Sequence, residues 1–426
     1  MTASLFTNVH VIDGTGKAPF AAEVLVKGNR IAEIARAPKS IKAPDATIID
    51  GGGATLMPGL TDAHAHLSFL NAASLLDLTK LTAEAHVLET VKVARLLLDH
   101  GYTSMFSGSS ARLHTDIAIR DAINAGDIPG PRLLAATQQM TVTGGFGDLG
   151  REGVFASIML DGPDAFRDAC RTAARAGVDI FKIVPSAPGS GPDPLAEDTA
   201  MTDAEVAAVC EVARQRHRRV AAHARSAEAV KMCARHGVDM IYHATLADDE
   251  AKDMLEADKD RVFIAPAMGL PYARLRDADS YGVPTDDFTR ARATKEIETV
   301  SVNMAELRER GVRVLPGGDY GFKWNPHGKN ARDLSMFVEC FGFTPLQAIQ
   351  SATEWGGQLM SPGLGLGDEL GQVREGYLAD LLLVDGDPSQ EIDILQDRDR
   401  FLAIMKDGVF HKAPPSDPIA QQQAAE

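Results

Sequence analysis

The chain has 426 residues, 45% of them hydrophobic, enough to bury a large core and a smaller second domain. Its 43 lysines and arginines against 59 acidic residues leave a formal charge of −16, which argues against nucleic acid or an anionic membrane surface as a partner. The four cysteines (Cys170, Cys210, Cys233, Cys340) lie far apart with no C-x-x-C pair and read as reduced core residues. No apolar run approaches the ~20 residues needed to span a bilayer, and the N-terminus shows no basic region followed by an apolar one, so a cytoplasmic location is expected.

From the amino end, Ser4–Ile12, Ala22–Lys27 and Arg30–Ile34 read as short strands joined by Gly and Asp turns, followed by strands at Ala46–Asp50 and Gly53–Met57. The same texture returns near the carboxyl end. There Leu378–Val384 stops at an Asp-Gly-Asp-Pro turn, and Phe401–Lys406 precedes Asp407-Gly408. Two β-rich ends around a different middle predict one small β-sandwich domain built from residues 1–57 and 371–412, with 413–426 as a flexible tail.

Between them, residues 58–370 alternate helical patterns with short apolar strands. Helices running to Gly101, Gly177, Gly237 and Gly311 lead into strands at Thr103–Phe106, Ile180–Val184, Met240–His243 and Arg313–Pro316. A further helix, Asp203–Arg216, leads into Arg219–His223. This rhythm predicts an α/β fold, specifically a (β/α)8 TIM barrel. A doubly wound open sheet is the competitor, but no GxGxxG or GxxxxGK[ST] follows the first strand.

The stretch from Pro58 to His66 sets two imidazoles, His64 and His66, two residues apart behind a hydrophobic strand. Residues i and i+2 of an extended segment share a face, so the two rings can converge where the strand ends, and neutral imidazole is a common metal ligand. Taken alone, the pair reads equally as strand histidines alternating with buried alanines. Other candidates also fall at predicted strand ends: Lys182, His223, His243, and Asp319 after Val-Leu-Pro-Gly-Gly. In a TIM barrel every such end faces one shared site. Singly, each could be a core histidine, a snorkelling lysine or a turn aspartate; six at successive strand ends make a joint site the stronger reading.

The order PGLTDAHAH, a strand lysine, HA…GVDMIYHAT, GGD and GYLADLLLVDGDP resembles the metal-dependent amidohydrolase superfamily. His223–His243 and Pro326–Leu334 resemble its branch of Xaa-Pro dipeptidases, related carboxypeptidases and ochratoxin-type amidases. The resemblance implies that His64, His66, Lys182 and Asp319 hold one divalent ion and Lys182, His223 and His243 a second. Zinc is the default, with Co or Mn as alternatives for N/O ligands. It also implies that Lys182 is carboxylated by CO2, because an ammonium has no free lone pair below its pKa of ~10.4. The implied activity is cleavage of an amide-type C–N bond by a hydroxide bridging two ions ~3.5–4 Å apart. Asp319 would act as general base and then general acid. The expected substrate is a small N-acyl amino acid, dipeptide or related amide, and the expected assembly is a homo-oligomer.

Two positions depart from the peptidase pattern. Peptidases of this branch usually carry Gly-Gly-His after the third strand and a tyrosine two residues past the histidine that corresponds to His223. Here Phe146 and Arg225 stand there. In the family these positions contact the scissile carbonyl or the substrate carboxylate. Phe146 cannot hydrogen-bond, whereas Arg225 can polarise an oxygen or clamp a carboxylate, or else is a surface cation. The departure opens a reading in which the substrate is a neutral amide, anilide, carbamate or urea. By resemblance His327 is a further substrate contact; Tyr320, Phe322 and Trp324 on the same loop are expected to wall the pocket, and residues 185–198 to form a lid. A structural, non-enzymatic member of the same fold is the remaining alternative, opposed by retention of all six ligand positions.

Overall fold

Strands from the two ends of the chain share one sheet. The computed structural model describes residues 3–148, 157–187, 197–365 and 369–415. Within it, Ala3–Val11, Phe20–Lys27, Arg30–Arg36, Thr47–Asp50 and Thr55–Pro58 join Leu381–Val384, Phe401–Lys406 and Val409–Lys412 in an eight-stranded sheet. The seam between the ends is the antiparallel pairing of Thr55–Pro58 with Leu381–Val384. Alternation decides which side chains face inward: Val24 and Val26 are buried while Lys27 is exposed, and they pack with Phe6, Leu56, Leu381 and Leu383. The predicted turn at Asp407-Gly408 closes a hairpin with both residues at positive φ, 52° and 70°. The strand expected from Leu378 begins only at Leu381.

The middle of the chain supplies eight parallel strands in sequence: Leu60–Ala65, Tyr102–Ser107, Arg132–Leu134, Ile180–Ile183, Arg219–Ala224, Met240–His243, Phe263–Ala265 and Arg313–Val314. The third meets the fourth through a parallel bridge between Ala136 and Ile180. The last meets the first where the Ala63 N–H donates to the Pro316 carbonyl at 3.0 Å. Each strand therefore has a hydrogen-bonded neighbour on both sides. Nearly all of their residues are buried, as expected when both faces of a parallel sheet are covered.

Helices between the strands do the covering, and local chemistry marks where they begin and end. Thr202 caps Asp203–Arg216 in a reciprocal box with Glu205, and Ser226 caps Ala227–His236. Gly177, at φ 100°, ends Pro163–Ala176 in the left-handed region that favours glycine. The helix expected from Leu88 starts earlier, at Ala83, because the Thr82 side chain caps it. The one expected to close at Arg310 is the end of a long helix, Asp287–Glu309. Arg132 on the third parallel strand donates to Asp380 at 2.9 and 3.1 Å and also pairs with Asp407, tying the strand series to the terminal sheet. Most of the stretch expected as a lid, 188–196, and most of the expected flexible tail, 416–426, lie outside the described residues. Among the described residues no helix is long and apolar enough to cross a membrane.

Candidate active site

The C-terminal ends of the parallel strands gather the residues that the sequence singled out. His64 ends the first strand and His66 follows it, both 1% exposed, with ring centroids 4.9 Å apart. Asp319 reaches them from the turn after the last strand: its Oδ1 lies 3.0 Å from His66 Nε2 and 3.9 Å from His64 Nε2. One ligand atom from each of the three falls within 4.8 Å of the others. Gly108, after the second strand, leaves room for the pair, since a Cβ there would sit 2.4 Å from His64 Cδ2.

His66 Nδ1 faces the Ser109 carbonyl at 3.2 Å, and a carbonyl can only accept. The Ser109 hydroxyl also meets Nδ1, at 3.1 Å, so this serine holds the ring with Nε2 turned toward Asp319. Phe69 stacks on the other face of this ring at 4.1 Å.

His223 and His243 lie side by side with centroids 4.2 Å apart, and His243 is 5.6 Å from His64. Neither belongs to the tight group of three. Burial drives the pKa of His64, His223 and His243 well below the usual imidazole value, with Lys182 and Arg225 adding to the effect, so these rings are neutral at pH 7. Neutral imidazole is the form that ligates metal. Both ring nitrogens of His243 and Nδ1 of His64 are buried without a hydrogen-bond partner. Leaving such groups dry costs free energy unless something fills the coordination position.

Lys182 is 1% exposed, its ammonium 3.9 Å above the Tyr242 ring, and burial pushes its pKa down to about 7. Tyr242 stacks on His64 at 3.6 Å and 4°. Sequence reasoning missed this tyrosine because alternation allows only one of Tyr242 and His243 to face inward. The backbone breaks the alternation: His243 and Ala244 take φ of 72° and 47°, so both side chains meet the cluster. Asp319 is likewise at φ 60°, held by the Asn325 amide, which donates to the carbonyls of Gly318 and Asp319 at 2.9 and 3.1 Å.

A layer of carboxylates backs the site. Asp62 accepts from the His64 backbone N–H at 2.8 Å and from the Asn330 amide at 2.7 Å, and burial pushes it up to about 6. Asp333 accepts from the Gly317 N–H at 2.8 Å and from the Tyr320 hydroxyl at 2.9 Å. Neither Asp62 nor Asp333 was singled out from the sequence, although each lies within a stretch that carries the family resemblance.

The four residues expected to touch substrate fall in different places. Phe146 stacks on His223 at 5.4 Å, apolar where the related peptidases carry a hydrogen-bonding side chain. Arg225 is 3% exposed, so it is not a surface cation; its guanidinium pairs with Glu296 and donates to Thr245 Oγ1 at 3.3 Å, while its Nε is buried without a partner. His327 donates from Nε2 to the His66 carbonyl at 3.1 Å, and burial holds its pKa near 3. Tyr320 is completely buried, with its hydroxyl spent on Asp333 behind the Gly-Gly-Asp turn. A pocket of about 690 Å³ is lined by Arg225 and Glu296 together with Leu270, Pro271, Phe288, Trp324 and the charged Arg274, Asp286 and Arg292; the strand-end histidines are not among its lining residues. Glu296, on the long helix, was not foreseen, since nothing in its local sequence marks it.

The sequence pattern of the amidohydrolase family matches residues 55–410. The chain is 25% identical over 394 residues to an ochratoxinase of Aspergillus niger, covering 85% of this chain and 77% of that protein. The solved structure of A. niger ochratoxinase superposes with a TM-score of 0.83 at 20% identity, over 98% of this chain and 97% of the other. A Xaa-Pro dipeptidase solved with methionine in its active site gives a TM-score of 0.81 at 26% identity, over 97% of this chain and all of the other. The buried histidines and aspartate at the strand ends, together with this match across most of its length, establish the chain as a hydrolytic enzyme that belongs to the amidohydrolase family.

Proposed function

We propose that this enzyme is a binuclear, metal-dependent hydrolase of an amide-type C–N bond, built as a closed (β/α)8 barrel (58–370) with a β-sandwich from residues 1–57 and 371–412. The observation that carries the reading is the set of buried, neutral imidazoles with unpartnered nitrogens around Lys182 and Asp319. That donor set suits a borderline cation such as zinc, with Co or Mn as alternatives. His64, His66 and Asp319 would hold one ion and His223 and His243 the other, with carboxylated Lys182 between them. When bound, the ions supply a hydroxide nucleophile at neutral pH and polarise the scissile carbonyl.

The protein's own groups do the rest. With its pKa near 7, Lys182 is substantially unprotonated at neutral pH. In that neutral form its lone pair can attack CO2, forming an N–C bond as a C–O π bond opens onto oxygen and releasing one proton to solvent, which turns a neutral buried amine into an anionic carbamate. Asp319 is placed to take the proton from the attacking water and return it to the leaving nitrogen. Its left-handed backbone, fixed by Asn325, aims that carboxylate at the histidines. Phe146 and the Trp324 wall exclude water and orient an apolar substrate group.

The ochratoxinase and Xaa-Pro dipeptidase likenesses favour an N-acyl amino acid or dipeptide-type amide. The pairing of Arg225 with Glu296 favours a second reading, a neutral amide, carbamate or urea.

Elemental analysis of the purified enzyme tests the metal reading, with two divalent ions per chain expected and activity lost on chelation and regained on reloading. Lys182→Ala should be inactive and partly rescued by short-chain carboxylic acids standing in for the carbamate. Full activity without metal, or an unmodified Lys182 in fully active, metal-loaded enzyme, would overturn the respective half of the proposal.

A further inference from the structure

We propose that Glu296 determines substrate class by neutralising Arg225 at the pocket floor, so that the group beside the scissile bond is uncharged and aromatic or apolar rather than a free carboxylate. The inference rests on the C–N hydrolase reading and deepens it. Arg225 stands two residues past His223, is buried, and lines the pocket, which links the pocket to the strand that carries His223. Its guanidinium already has a carboxylate, supplied from within the chain by the helix Asp287–Glu309. A substrate carboxylate arriving at Arg225 must either displace Glu296 or lie beside it, and two carboxylates sharing a poorly hydrated site repel each other. The pair thus works against anionic substrates, discriminating by an unfavourable contact with the wrong ligand.

The rest of the pocket is mixed: Leu270, Pro271, Phe288 and Trp324 present apolar and aromatic surface, while Arg274, Arg292 and Asp286 also line it. Both arginines lie against aromatic faces: Arg274 sits 5.2 Å from the Trp324 ring centre and Arg292 5.5 Å from that of Phe288. Phe146, stacked on His223 at 5.4 Å, adds another apolar face.

The test uses two probes that differ only by the carboxylate: N-benzoyl-phenylalanine and N-(2-phenylethyl)benzamide. For metal-loaded wild type, kcat/KM for the neutral amide should exceed that for the acid. In Glu296→Gln, which keeps the shape and an acceptor oxygen for Arg225, the ratio should move toward the acid by at least about tenfold, mostly through KM. Glu296→Asp, which keeps the charge, should retain the wild-type preference. Calorimetric binding of both probes to each variant gives a second readout independent of turnover. A ratio unmoved in Glu296→Gln, by turnover and by binding, overturns the role of Glu296 and points to Arg274 as the carboxylate partner. If binding shifts as expected but neither probe is cleaved, the Glu296 role stands and the C–N hydrolase reading falls.

Discussion

The terminal sheet and the strand-end site place their irregularities differently. In the sheet, valines and leucines fill the interior, bulges interrupt four of the strand pairings, and the Asp407-Gly408 turn uses the residues such a hairpin demands. At the site, three non-glycine residues (His243, Ala244 and Asp319) sit at positive φ, imidazole nitrogens are buried without partners, and a lysine is enclosed with no acid bonded to it. A non-glycine residue at positive φ costs on the order of 1 kcal/mol or more. The sheet's own positive-φ residues, Asn8 and Asp407, lie outside its core, and the difference teaches where function lies: at the site such residues are buried and aim groups at one point, whereas in the sheet they serve a strand irregularity and a turn.

Asp319→Asn is the variant with the largest expected effect, because it preserves shape at a left-handed residue while removing the proton acceptor. Turnover should fall by ~10²–10⁴, the usual contribution of positioned acid–base catalysis. Metal content should fall only modestly, since an amide oxygen still faces His66, and thermal stability should hold. If turnover were retained, Asp319 would serve as a ligand alone, and the strain at this turn would need another explanation.

The difference between the regions also explains what was legible in the sequence. Helix ends, the hairpin turn and the two-ended sheet were readable because capping residues, glycines and alternation act locally. His64 and His66 were readable for the same reason, since one extended strand fixes their common face; Asp62, on that same strand, was passed over. Tyr242 was not, because two left-handed residues after it override alternation. Glu296 was invisible: it meets Arg225 across 71 residues of chain, through a helix whose polar positions look alike in sequence. Tyr320 was read as a pocket wall from its place beside Asp319, but the close turn there rotates it back onto Asp333.

Leu383→Ala probes the first of the two regions. Leu383 is 1% exposed in the core of the terminal sheet, and truncation should cost ~2–5 kcal/mol, read as a lower urea midpoint. Because Arg132 ties that sheet to the parallel strands through Asp380 and Asp407, unfolding should remain a single transition. Turnover and metal content per folded molecule should match wild type. A fall in kcat at temperatures where the variant is fully folded would show that the sheet shapes the site, and the contrast between the regions would dissolve.

The smallest effect is expected behind the site, at Asp333, which accepts from Gly317 and Tyr320. Burial, with Asp62 nearby, pushes its carboxyl from an ordinary 3.8 up to about 8, although Tyr320 and Gly317 donate to it. Between those values the unfolded chain has lost the proton and the folded one still holds it. The folded state then binds more protons, so this group's contribution to stability falls as pH rises, by at most ~1.4 kcal/mol per unit, and levels off above about pH 8. Asp62, pushed up to about 6, acts in the same direction but is spent above that pH. Lys182, pushed down to about 7, acts in the opposite direction above it. The informative quantity is therefore the difference between wild type and Asp333→Asn in urea unfolding from about pH 6.5 to 8, with metals loaded in both. The variant should be less stable near pH 6.5, because its amide group faces two donors, and the gap should narrow steadily toward pH 8. A gap that stays constant across this range would mean that Asp333 is already ionised in the fold, held so by Tyr320 and the Gly317 N–H, and that burial does not dominate at this position.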